Sequence, residues 1–231
     1  MYINEEKLNS LEDPEALIVY VHPQRTGGTA FKSILNRVFS REKVFSAQTV
    51  KKEQYKSWKD ISEHELKSYR VIAGHFNFYP RNLLSRPVVF IGTIRDPYER
   101  MRSIYNYCKE KDGHKLQKLA LKNTINDFVV EAAKVWPAYI CNVQCARFGG
   151  ASSDQAIKNI KEYFAIVAEP YEVIDIQDEI LRKIGTNAQR FSSTSRNAST
   201  KNVDFNQLDR SLVDHFSGED VDLYLKFKKM L

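Results

Sequence analysis

Three cysteines in 231 residues, Cys108, Cys141 and Cys145, are too few for a disulfide framework. No histidine or further cysteine cluster lies beside them, so they suit packing better than zinc binding. Cys108 falls on an apolar helix stripe, and the four-residue spacing of Cys141 and Cys145 places them on one helix face. Long apolar runs are also missing: nothing approaches the roughly 20 residues that a membrane-spanning helix needs. The opening residues, Met1 to Asp13, are polar and acidic, unlike a secretory signal. There is no internal repeat and no interdomain linker. These absences point to a cytoplasmic, metal-free protein without a membrane anchor, made of a leading arm, 1–13, and one domain, 14–231.

What is present is ordinary for a globular chain: 42% hydrophobic and 28% charged residues, with a net charge of +6. That mild basic excess suits either an anionic ligand or a solvated charged face. Nothing in it calls for nucleic acid as a partner.

The apolar run Leu17-Ile18-Val19-Tyr20-Val21 reads as a buried strand, 17–22. Phe31, Ile34, Leu35 and Val38 then recur at i, i+3, i+4 and i+7, which predicts a helix to about Phe39. Residues 41–60 are lysine-rich and weakly patterned, and read as loop plus short helix, either solvated or facing a partner. A short helix at Glu63–Ser68 leads to a strand at Arg70–Ala73, and Val88–Ile94 is a continuous apolar strand of the kind covered on both faces. Asp96 and Pro97 then suit an N-cap and a first helical residue. From 114 to 162 the pattern is helical. It breaks at Trp136-Pro137, resumes over Ala138–Phe148 and stops at Gly149-Gly150. A strand at Phe164–Ala168, a helix from Glu172 to Ile184 ended by Gly185, a polar stretch at 186–204 and helices near 205–216 and 219–230 complete the chain. Strands alternating with helices predict a three-layer α/β domain with a central parallel sheet.

Between the first strand and its helix lies His22-Pro23-Gln24-Arg25-Thr26-Gly27-Gly28-Thr29. Such a turn offers unpaired backbone N–H groups at the positive end of a helix dipole, and its glycines allow close approach. It reads as a loop for a phosphate-like anion, or as a generic glycine turn. It lacks the G-x-x-x-x-G-K-[ST] of a Walker A motif. His75 and Arg95 follow the next two strands, and ligands of parallel open sheets bind outside the carboxyl ends of strands. Arg95 and Ser103 could grip one phosphate from two sides; alternatively Arg95 pairs with a carboxylate and Ser103 faces solvent. His75 is either structural or a general base, since a neutral imidazole can take a proton from a hydroxyl. The polar stretch 186–204 reads as a lid over a ligand or as a flexible loop.

The segment His22–Thr29 resembles the H-I-P-K-T-G-G-T/S loop of sulfotransferases, most nearly the heparan sulfate 2-O- and 6-O-sulfotransferase group and its soluble bacterial relatives. Ile94-Arg95-Asp96-Pro97-Tyr98-Glu99-Arg100-Met101-Arg102-Ser103 resembles the L-R-D-P-x-x-R-x-x-S element, and Gly74-His75-Phe76 the G-H-V/F segment. Asn142–Gly150, Ala165–Glu169, Asn197-Ala198-Ser199 and Asp220–Tyr224 resemble further family segments in the expected order. The resemblance spans about residues 15–228. Arg25 stands where the family usually has lysine, and it keeps the charge as a bulkier planar fork. Pro23 and Gln24 replace the commoner Ile-Pro, and Cys145 replaces a threonine.

The resemblance implies a P-loop-like domain that transfers a sulfuryl group from PAPS (3′-phosphoadenosine 5′-phosphosulfate) to a hydroxyl acceptor such as a glycan, releasing the 3′,5′-bisphosphate PAP without a metal. It implies that Thr26, Gly27, Gly28 and Thr29 bind the 5′-phosphosulfate and that Arg25 neutralises the leaving oxygen. His75 would be the base, and Arg95 and Ser103 would hold the 3′-phosphate. Arg196, Ser199, Thr200 and Lys201 would close over the nucleotide. Two other expectations stand beside it: a non-catalytic PAP(S) or polyanion binder of the same fold, and a P-loop nucleotide kinase.

Overall fold

A computed structural model describes residues 1–46, 60–80, 85–185 and 208–231. Six strands form one sheet: β1 (Tyr2–Ile3), β2 (Leu17–Val21), β3 (Val44–Ser46), β4 (Val71–Gly74), β5 (Val88–Thr93) and β6 (Phe164–Ala168). Their order is β1-β6-β5-β2-β4-β3. All pairings are parallel except β1 with β6. The central strand β2 is buried at every residue because it has a strand on each side and helices on both faces.

Alternation along β2 divides the core. Leu17, Val19 and Val21 face one layer with Phe148, Ile160, Leu223 and Phe227, whereas Ile18 and Tyr20 face the other with Phe31, Leu35, Ile176 and Ile180. Helices α8 (Val143–Arg147), α9 (Ser153–Tyr163) and α11 (Arg210–Lys228) cover the first face; α2 (Gly28–Val38) and α10 (Val173–Ile184) cover the second. The fold is therefore the three-layer, P-loop-like α/β arrangement expected from the sequence. A third apolar cluster joins α4 (Pro97–Glu110) to α6 (Ile125–Val135) through Met101, Ile104, Phe128 and Ala132, beside the open end of the sheet.

Several expectations need correction. The segment 1–13 is woven into the domain: β1 pairs with β6, and Leu8 and Leu11 are buried under the sheet. Val44–Ser46, read as loop, adds a strand beside β4. Ala138–Phe148 is two short helices, α7 (Pro137–Ile140) and α8, divided at the left-handed Asn142. Cys141 and Cys145 thus do not share one helix. The break has a purpose: the Asn142 side-chain oxygen accepts the Glu219 and Asp220 N–H groups, at 3.1 and 3.4 Å. Asp220 in turn accepts the N–H groups of Gln144 and Cys145. The two closing helices are as expected: they meet at a kink within α11, at the non-helical Ser217, whose hydroxyl donates to the Ile140 carbonyl. Lys51, Lys52, Lys56 and Lys59 and the expected lid at 186–204 lie outside the described residues.

Candidate functional site

The turn between β2 and α2 is built around two glycines with different tasks. Gly27 has a φ of +89°, which a side chain rarely tolerates. A Cβ on Gly28 would fall 2.1 Å from the His22 ring, so helix and imidazole touch only because that atom is missing. Thr26 is buried; its hydroxyl donates to the Pro23 carbonyl and also meets Thr93 Oγ1 at 3.0 Å. Thr93 lies 2.9 Å from the Tyr20 hydroxyl. The Thr26 hydroxyl therefore holds the turn to β5. Thr29, in the first turn of α2, is exposed.

Helix α2 also starts differently from most others. Asp96, Thr124, Ser152 and Asp209 accept backbone N–H bonds at the starts of α4, α6, α9 and α11. Gly27 offers α2 no such cap, as is also the case at the starts of α7, α8 and α10; at α2 the first-turn donors lie beside Arg25 and can meet an external acceptor.

On the β5 side the polar groups form a closed lattice. Arg25 is left-handed, with φ +70°, a conformation that costs a non-glycine residue on the order of 1–3 kcal/mol. Two contacts hold it there. Arg95 Nη1 donates to the Arg25 carbonyl at 3.1 Å, and Arg25 Nε donates to Ser103 Oγ at 3.1 Å. The Arg25 guanidinium also covers the Tyr107 ring at 4.5 Å. Arg100, 1% exposed, donates to the carbonyls of Gln24 and Tyr139 and acts as an internal strut. The buried Gln144 accepts from the Arg95 N–H and donates to the Arg95 carbonyl, fixing the peptide that carries the arginine. Burial lowers the pKa of Arg25, Arg95 and Arg100 from the ordinary arginine value. Arg95 also approaches Glu99 at 3.6 Å, the carboxylate partner of the alternative reading, while Ser103 accepts from Arg25 rather than facing only solvent.

On the β4 side stands a histidine pair. His22 stacks on Tyr20 at 4.5 Å, and its ring lies 4.5 Å from that of His75. His75 Nδ1 lies 3.1 Å from the His22 carbonyl. A carbonyl only accepts, so in the neutral ring Nδ1 carries the proton and Nε2 keeps its lone pair. Desolvation lowers the His75 pKa most. The His22 carbonyl opposes that shift, while Arg147, Arg100 and Lys32 reinforce it. Burial, then His75, puts His22 well below the ordinary histidine value. His75 is exposed, and its contact with the His22 carbonyl leaves Nε2 as the basic nitrogen.

Arg25, Thr26, Gly27, Gly28, Thr29, Arg95 and Ser103 therefore share one end of the sheet with His75. Arg196, Ser199, Thr200 and Lys201 are outside the described residues. Sequence reasoning gave no role to His22, Arg100, Gln144 or Asp220. The signal for the last three was their place inside the quoted segments, and for His22 its position at the end of a buried strand. Glu169 and Tyr224, from two separate segments, also meet: the Glu169 carboxylate accepts from the Tyr224 and Tyr171 hydroxyls and from Lys228. Among the described residues, no group of three or more histidine, cysteine, aspartate or glutamate side chains could hold a metal ion. No described helix is long and apolar enough to cross a membrane.

No family model matches the chain, and no curated protein does. Solved structures do. One is mouse sulfotransferase SULT7A1 complexed with PAP, at 16% identity and a TM-score of 0.47, covering 99% of this chain and 88% of that one.

Proposed function

We propose that the chain transfers a sulfuryl group from PAPS to a hydroxyl acceptor. The observation that carries this reading is the uncapped start of α2 beside two half-buried arginines, Arg25 and Arg95, linked through the Arg25 carbonyl. Free N–H donors and cations at one sheet end fit a phosphate-rich ligand. The Gly28 surface and the N–H groups of Gly27, Gly28 and Thr29 cradle the 5′-phosphosulfate. Arg25 neutralises charge at the oxygen that leaves with PAP. Arg95, with Ser103, holds the 3′-phosphate. Nε2 of His75 takes the acceptor's proton as the acceptor oxygen bonds to sulfur and the bond from sulfur to the PAP oxygen breaks. The products are a sulfate ester, PAP and a protonated His75. Arg196, Ser199, Thr200 and Lys201 close over the nucleotide.

A second reading is a non-catalytic PAP binder. The favouring observation is that the Arg25 guanidinium is already engaged by Ser103 and Tyr107. Incubation with sulfur-labelled PAPS and a panel of sugars and small alcohols separates the two. The transfer reading expects label in an acceptor, with a loss of about 10²–10⁴ in turnover for His75→Ala. PAP binding without transfer favours the second reading, and no PAP binding contradicts both.

A further inference from the structure

Helices α8 and α11 exchange caps. Asn142, the N-cap residue of α8, makes no side-chain bond to its own helix. Its side-chain oxygen instead accepts the N–H groups of Glu219 and Asp220, just past the break at Ser217. Asp220 in return supplies the cap that α8 lacks. Its carboxylate accepts the N–H groups of Gln144 at 3.0 Å and Cys145 at 2.8 Å, the second and third residues of that helix. Asp220 and Gln144 are both 0% exposed. A sealed carboxylate is costly to desolvate, and an apolar contact between the two helices would avoid that cost. What this carboxylate fixes is the first turn of α8, and that turn carries the side chain that holds Arg95. Gln144 accepts the Arg95 N–H at 2.9 Å and donates to the Arg95 carbonyl at 2.8 Å. Arg95 Nη1 then reaches the Arg25 carbonyl. The path from α11 to the glycine turn is therefore Asp220, Gln144, Arg95, Arg25, every step a hydrogen bond of 3.1 Å or less.

Resting on the reading that Arg95 holds a 3′-phosphate, we propose that Asp220 is a positioning residue for nucleotide selection, acting through Gln144 on Arg95. Asp220 itself touches no ligand. It holds the peptide from which Arg95 extends, so the arginine meets a 3′-phosphate without first having to be ordered, and less of the contact's free energy is lost. A merely structural latch would weaken every nucleotide alike, or none. A positioning residue weakens only the nucleotide whose 3′-phosphate Arg95 reads. Ser217 supplies the contrast: it is 1% exposed in the same kink, and bonds to the Ile140 carbonyl at 3.0 Å, off the path to Arg95. Asparagine in place of Asp220 keeps the shape but has one acceptor oxygen for two N–H groups, so the first turn of α8 loses one of its two anchors.

Calorimetry on the full chain compares PAP with adenosine 5′-phosphate, and melting curves check that each variant folds. Asp220→Asn should cut the PAP preference about threefold or more, the order of one hydrogen bond, and leave the affinity for adenosine 5′-phosphate unchanged. Gln144→Ala should do the same. In an Arg95→Ala background Asp220→Asn should add nothing, since the path then has no end. Ser217→Ala should lower the melting temperature and keep the preference. Asn142→Gly retains the left-handed backbone and removes only the reciprocal cap; it replaces Asp220→Asn if that variant does not fold, with the same selective loss expected. The proposal is overturned if Asp220→Asn (or Asn142→Gly in its place) or Gln144→Ala keeps the wild-type preference, or if both nucleotides weaken in step. It is equally overturned if Ser217→Ala loses the preference to the same degree, or if Asp220→Asn adds to Arg95→Ala. A wild-type chain that binds both nucleotides equally, or neither, contradicts the 3′-phosphate reading itself and the proposal with it.

Discussion

The two flanks of the glycine turn are built on opposite plans. Toward β5, Arg25, Arg95, Arg100, Ser103 and Gln144 bond to one another and to backbone carbonyls. Toward β4, His75 keeps a free nitrogen, and Lys32 and Arg147 have only neutral partners. A saturated lattice fixes position and suits a ligand bound the same way each time. An unsaturated flank keeps protons and charges available, which suits the partner that reacts. Under the proposed function, binding falls to one side and chemistry to the other.

Four substitutions or conditions test that division, from the largest effect down. His75→Ala should cost about 10²–10⁴ in turnover and leave PAP affinity intact. If nucleotide affinity falls in step, the flanks are not separate. Arg95→Ala should do the reverse, weakening PAP by roughly 10–100-fold, the value of a charged hydrogen bond of about 1.5–3 kcal/mol, as read by calorimetry. Gly28→Ala forces a Cβ into the His22 ring and should destabilise by about 1–3 kcal/mol. That lowers the melting temperature by roughly 2–4 °C per kcal/mol in a chain of this size. An unchanged Tm would mean the ring moves freely.

The smallest effect is on pH dependence. His22 is buried, and its folded pKa is depressed below its unfolded value. The unfolded chain therefore binds the proton first. Stability is complete above about pH 6.5 and declines as pH falls below it, by at most about 1.4 kcal/mol per pH unit. Denaturant midpoints at pH 7.5 and pH 5.5 measure the slope, and His22→Gln should flatten it. The lowered His75 pKa likewise places the acid limb of kcat/KM below the ordinary histidine range, and Arg147→Gln should move that limb upward.

Local patterns in the chain carried most of the architecture. β6 falls where the apolar run places it, β2 and β5 are each one residue shorter than read, and Asp96 caps α4 as its type suggests. β3 escaped because three residues in a lysine-rich setting have no periodicity. β1 escaped because pairing with β6 across more than 160 residues is not a local property. The same limit applies to the site. Arg25, His75, Arg95 and Ser103 could be picked out by type and position. The direction of Arg25 toward Ser103 follows from a left-handed φ that sequence does not announce. Likewise, Gln144 clamping Arg95, and Asn142 and Asp220 latching α8 to α11, depend on contacts between distant segments.

The central claim is that the glycine turn and the Arg95 lattice together bind a nucleotide carrying both a 5′- and a 3′-phosphate. Calorimetric titration of PAP against adenosine 5′-phosphate tests it most directly. The lattice predicts that PAP binds at least tenfold tighter, the order of one charged contact, and that Arg95→Ala erases the difference. Equal affinity for the two nucleotides, or a PAP preference that survives Arg95→Ala, would contradict it.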